Sequence, residues 1–89
     1  MNDIISAELR QGYVDRRKKE FPEIDLYIQN KDFPALEMVG HKLKGSGSSY
    51  GFENLTLIGE LIENAAIKKD LEVIQALYNR VKKIVNDPL

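Results

Sequence analysis

Apolar residues recur every three or four positions along almost the whole chain, and the breaks in that rhythm fall at proline, glycine and aspartate. From Asn2 to Glu20, the four-residue spacing of Ile5, Leu9 and Tyr13 predicts a first helix that stops before Phe21-Pro22. Pro22 suits the first turn of a short second helix, which ends around Asn30 and places Ile24, Tyr27 and Ile28 on one face. Asp32 can cap a third helix with its side chain, and Pro34 fits that helix's first turn. The third helix is expected to reach Tyr50, with Gly51 free to take the left-handed conformation that ends it. Leu55, Ile58, Leu61, Ile62 and Ala65 trace the apolar face of a fourth helix, and the short connection sets it antiparallel to the third. Asp70 caps a fifth, in which Leu71, Ile74, Leu77, Tyr78, Val81, Ile84 and Val85 keep the rhythm until Asp87-Pro88. No window of alternating apolar and polar residues competes. The pattern predicts an all-α chain: an antiparallel four-helix bundle from the second to the fifth helix, with an additional N-terminal helix packed across or beside one end.

The third helix carries the chain's only histidine. With each residue advancing about 100° around the axis, Leu36, Val39, Gly40, Gly47 and Tyr50 project within about 60° of Leu43 and form the core stripe. His41 falls about 160° from that direction, with Met38 and Gly45 flanking it, Ser48 beyond, and Glu37 and Lys44 at the margins of the outer face. The imidazole therefore points to solvent and is a candidate nucleophile. Five of the six glycines, from Gly40 to Gly59, crowd into the same stretch. A glycine inside a helix costs about 1 kcal/mol relative to alanine, so the cluster needs a reason. Gly40 and Gly47 lie on the core stripe, where a missing side chain admits a neighbouring helix. Gly45 lies one turn after His41 on the exposed face, where a missing side chain admits something from outside.

His41-Lys42-Leu43-Lys44-Gly45, then Gly51, then Leu61-Ile62-Glu63 with Ala65-Ala66, resembles the signature of histidine-containing phosphotransfer (HPt) domains. Order and spacing match from about Asp32 to Asp70, and the flanking helices fit the same domain, so residues 1–89 read as one HPt-like unit. The resemblance implies that His41 is the phosphorylated residue, that Lys44 gives electrostatic support to the phosphoryl group, and that Gly45 admits the partner. It implies a response-regulator receiver domain as that partner, with a hybrid sensor histidine kinase as a second candidate. The receiver carries the phosphoryl group on an aspartate and supplies its own Mg²⁺, so no cofactor is expected on this chain. The position matching a second basic group of some family members is Ile67, a departure from the pattern.

Composition removes competing classes. The chain is 89 residues long, near the lower limit for a core without a staple, and it has no cysteine to form one. With 43% hydrophobic and 30% charged residues it reads as a soluble globular domain, expected to be a monomer, and with neither a membrane span nor a signal peptide the expected setting is the reducing cytoplasm. Arg16, Arg17, Lys18 and Lys19 form a basic run with no aromatic residue interleaved to stack on bases, so nucleic acid is not an expected partner. Ser46, Ser48 and Ser49 fall within the expected third helix, whose amides are already bonded, and no phosphate-loop order is present. A metal site would need more ligands than His41 and Glu37.

Neutral imidazole is a competent nucleophile near pH 7, and the work left to the chain is positioning and electrostatics. Glu63, off the core stripe of the fourth helix, can reach across and orient the imidazole by accepting a ring N–H bond. Met38 offers an adaptable apolar contact to a partner, and Ser48, Glu37 and Gly45 share the docking face. The expected function is a phosphorelay intermediate that accepts a phosphoryl group on His41 and passes it on, without kinase activity of its own. The alternative is a non-catalytic helical docking module using the same face, and the chain is also compatible with being a piece of a larger sensor kinase.

Overall fold

The computed structural model describes residues 6–87. It contains four helices, α1 (Ala7–Gln29), α2 (Phe33–Ser46), α3 (Glu53–Ile67) and α4 (Leu71–Asn86), with a 3₁₀ turn at Ser48–Tyr50 between α2 and α3. Each helix packs on two neighbours, α1 on α2 and α4, and α3 on α2 and α4, which closes an up-and-down bundle.

The first and second helices expected from the sequence are one. Helix α1 runs through Pro22 and starts from Ser6, whose hydroxyl accepts the Leu9 amide; the stretch from Asn2 to Ile5 lies outside the described residues. An interior proline removes one helical hydrogen bond, here to the carbonyl of Lys18. Both Pro22 and Lys18 are exposed, so water can take that carbonyl, while Tyr13, Val14 and Ile24 hold both halves of the helix to the core. No separate N-terminal helix exists among the described residues.

Side-chain caps start α2 and α4 where the sequence placed them, whereas α3 starts from Phe52 without one. Asp32 accepts the Ala35 amide and Asp70 the Val73 amide, with Pro34 in the first turn of α2. Helix α2 ends earlier than expected, at Ser46, and the 3₁₀ turn carries the chain to Gly51, whose φ of 85° is the left-handed conformation glycine tolerates.

The core is layered along the bundle. One cluster, near the α2–α3 turn, joins Tyr13, Val14, Leu43, Phe52, Leu55, Ile58, Ile62, Val81 and Val85. The other joins Ile24, Leu36, Ala65, Ala66, Ile74 and Tyr78. The Tyr78 hydroxyl donates to Asp25 and to the Phe21 carbonyl of α1, and burial together with the Asp25 carboxylate pushes its pKa above the ordinary tyrosine range. Leu61, expected on the apolar face of α3, is exposed because Ile58, Ile62 and Ala65 take the inner face, and Leu9 is exposed beside the buried Tyr13.

Helices α2 and α3 form the tightest pair, and glycine is the cause. A Cβ on Gly40 would stand 2.6 Å from the Gly59 carbonyl and against the Glu63 amide, and one on Gly59 would stand 2.7 Å from the Gly40 carbonyl and against the Lys44 amide. A Cβ on Gly47 would meet the Phe52 carbonyl at 2.7 Å and Thr56. In each case backbone blocks the side chain, so these helices can approach this closely only without one.

Candidate functional site

That close approach assembles the site. Gly40 precedes His41, and Glu63 follows Gly59 by one turn, so pressing the two glycines together sets Glu63 beside the outer face of α2. One carboxylate oxygen, Oε2, lies 3.1 Å from His41 Nδ1, and the other, Oε1, lies 3.8 Å from Lys44 Nζ. His41 and Lys44 are one turn apart on α2, and a single carboxylate from α3 bridges them. The Glu63 side chain is only 18% exposed, against 65% for His41 and 45% for Lys44. The anchoring group is held, and the group it anchors is presented.

An ionised Glu63 carboxylate can only accept, which assigns Nδ1–H as the donor of this contact. In that tautomer Nε2 keeps its lone pair, and Nε2 has no hydrogen-bond partner among the described residues. The arrangement is suited to nucleophilic attack by Nε2 on an electrophile arriving from solvent, with a cation within one helical turn.

Gly45 faces open space: a Cβ built there would have nothing within 4 Å. Met38 is exposed on the side of His41 away from Gly45. Pro34, Glu37, Met38, His41 and Glu63 line a shallow depression of about 420 Å³, which leaves Gly45 on the opposite flank of the ring. Ser48, expected on the docking face, is exposed but not part of α2. Because α2 ends at Ser46, Ser48 belongs to the 3₁₀ turn, and its amide is held by the Thr56 hydroxyl at 2.8 Å. The reading of Ser48 and Ser49 as helical is corrected in the same way, whereas Ser46 is the last residue of α2 and bridges the Tyr13 hydroxyl and the Lys42 carbonyl. Ile67 is exposed, and Lys68 lies beyond the end of α3.

Two contributors were not identified from the sequence. Pro34, which in sequence signals only a helix start, also lines the depression beside His41. Gly59 was noted in the cluster without a role, yet it is the partner of Gly40. Its signal was available: Gly40 and Gly59 stand ten and nine residues on either side of Tyr50, as the facing positions of an antiparallel hairpin turning there must. Among the described residues no group of three or more histidine, cysteine, aspartate or glutamate side chains converges to hold a metal, and no helix is long and apolar enough to cross a membrane.

Comparison with known proteins gives an independent result. The sequence profile of the Hpt domain matches residues 8–87. Phosphorelay intermediate protein YPD1 of Candida albicans is 31% identical over 70 residues, covering 79% of this chain and 38% of that protein. The chain therefore spans well under half the length of this curated relative. No solved structure matches significantly.

Proposed function

This chain belongs to the Hpt domain family, and we propose that it is a phosphorelay intermediate of two-component signalling whose His41 accepts a phosphoryl group from the aspartate of a receiver domain and passes it to another. The observation that supports this reading above the others is the Glu63–His41 contact at 3.1 Å, which favours the proton on Nδ1 and so supports Nε2 as the nucleophile. Nε2 attacks phosphorus as the acyl phosphate O–P bond breaks. The bonding pair leaves with the aspartate carboxylate, and the proton stays on Nδ1. Positive charge develops on the ring as the N–P bond forms, and the Glu63 carboxylate is in place to balance it. Lys44 turns from Glu63 toward the phosphoryl oxygens, a short movement for a flexible side chain held at 3.8 Å. The reverse transfer uses the same groups, because imidazole is a good leaving group once its Nδ1 is protonated.

The domain supplies positioning and charge, and the receiver supplies Mg²⁺. Gly45, Met38 and Glu37 form the docking surface around the ring, and the setting is cytoplasmic. ATP with Mg²⁺ should not label the chain, because it has no glycine-rich nucleotide loop following a strand. The test is incubation with a receiver carrying labelled phosphate. Label should move to this chain in an acid-labile, base-stable form and return to an unlabelled receiver. A stable complex without transfer would make the chain a docking module, and labelling by ATP alone would make it a kinase.

A further inference from the structure

The end of the bundle at the α2–α3 turn holds a second charged feature that the phosphotransfer reading does not use. A cavity of about 590 Å³ opens there between the start of α1, the start of α3 and the end of α4, and it shares no lining residue with the depression at His41. Arg10, Arg80 and Lys83 line it, with Asp87 as the one acidic group, and none of the three cations has an ion-pair partner within 4.0 Å among the described residues. Among the described residues the local balance is three positive charges against one negative. Helix polarity accounts for Arg80 and Lys83, which lie toward the C-terminal end of α4, but it opposes Arg10, which stands in the first turns of α1 at that helix's positive end.

Arg10 is nevertheless held in place. Its guanidinium carbon lies 4.5 Å over the centre of the Phe52 ring, beside Gly51, and its Nε is buried with no hydrogen-bond partner. A guanidinium fixed against an aromatic face, with unused donors and two further cations across a cavity, is pre-organised for an anion. The remaining walls limit what that anion is. Asn54 and Asn79 bring side-chain amides, and Ile84 adds an apolar surface. The volume lies in the range of small-molecule sites and exceeds what a bare phosphate fills.

We propose that this cavity binds the dianionic phosphate of a phosphate-bearing small molecule, separately from the chemistry of His41. The test is an amide NMR titration of the full chain with inorganic phosphate and, in parallel, phenyl phosphate, at ionic strength matched with sodium chloride. Saturable shifts are expected at Gly51, Asn54 and Lys83, and they should persist in His41→Gln, so the result is independent of phosphoryl transfer. The Arg80→Gln/Lys83→Gln variant changes exposed positions and should melt as the parent does, while its affinity for either probe falls about tenfold or more. Phenyl phosphate should bind more tightly than inorganic phosphate because it also uses the Ile84 wall, and equal binding would overturn the assignment to a phosphate-bearing organic molecule. Shifts that fail to saturate, that chloride reproduces, that centre on His41 and Lys44, or that survive the double substitution would overturn the proposal.

Discussion

Helix α2 uses glycine on two opposite faces for opposite reasons. On the inner face, Gly40 and Gly47 are pressed against backbone atoms of α3 and the turn, and a Cβ on either would lie under 3.0 Å from them. On the outer face, Gly45 has nothing within 4 Å. The inner glycines are needed because space is absent, whereas the outer glycine keeps space available. The inner set also creates the outer site, because only helices this close let Glu63 of α3 reach His41 and Lys44 of α2. Packing at the crossing and chemistry at the surface are consequences of the same approach distance.

The comparison is broken most severely from the inside. Gly59→Val should destabilise the chain at or beyond the top of the roughly 1–3 kcal/mol typical of overpacking, because its new atoms meet the backbone of α2, which cannot rotate away. For a domain of this size each kcal/mol is about 4–8 °C in Tm, so calorimetry should record a fall of about 10 °C or more, or no folded state. A Tm near that of the parent would mean that the helices part easily and that glycine is not what sets their distance.

Substitution on the outer face should separate folding from function. Gly45→Gln exchanges a poor helix former for a good one, worth up to about 1 kcal/mol, so Tm should hold or rise while transfer from a phosphorylated receiver falls steeply. Loss of stability together with activity would place Gly45 among the packing glycines. Smaller effects are expected at the charged neighbours. Lys44→Ala should slow transfer by less than about tenfold, since the side chain is exposed and is not the nucleophile. Glu63→Gln retains an oxygen for Nδ1–H and should slow transfer less than Glu63→Ala, which removes the acceptor. Equal rates for the two Glu63 variants would show that the acceptor at Nδ1 does not matter.

Much of this was legible because it is local. The outer placement of His41 and Gly45 follows from helical periodicity alone, and Asp32, Asp70 and Gly51 end or begin elements through bonds to residues close in sequence. What was misread depends on tertiary context. Pro22 signals a break, but a helix can pass through an exposed proline when both halves are anchored in one core. Leu61 fits the apolar face of α3 by type, yet three neighbours already fill the inner surface. Ser48 leaves the helical face because its amide finds the Thr56 hydroxyl, eight residues away. The reach of Glu63 to His41 could be conceived from the helix pairing, but its distance is set by Gly40 and Gly59, which periodicity cannot measure.

His41→Gln is the decisive test of the proposal that an exposed, Glu63-anchored His41 receives the phosphoryl group. The side chain is 65% exposed and makes one hydrogen bond among the described residues, to Glu63, so circular dichroism and Tm should stay close to those of the parent. Under identical incubation with a labelled receiver, the parent should acquire acid-labile, base-stable label and the variant none. Label on a folded His41→Gln chain would contradict the account.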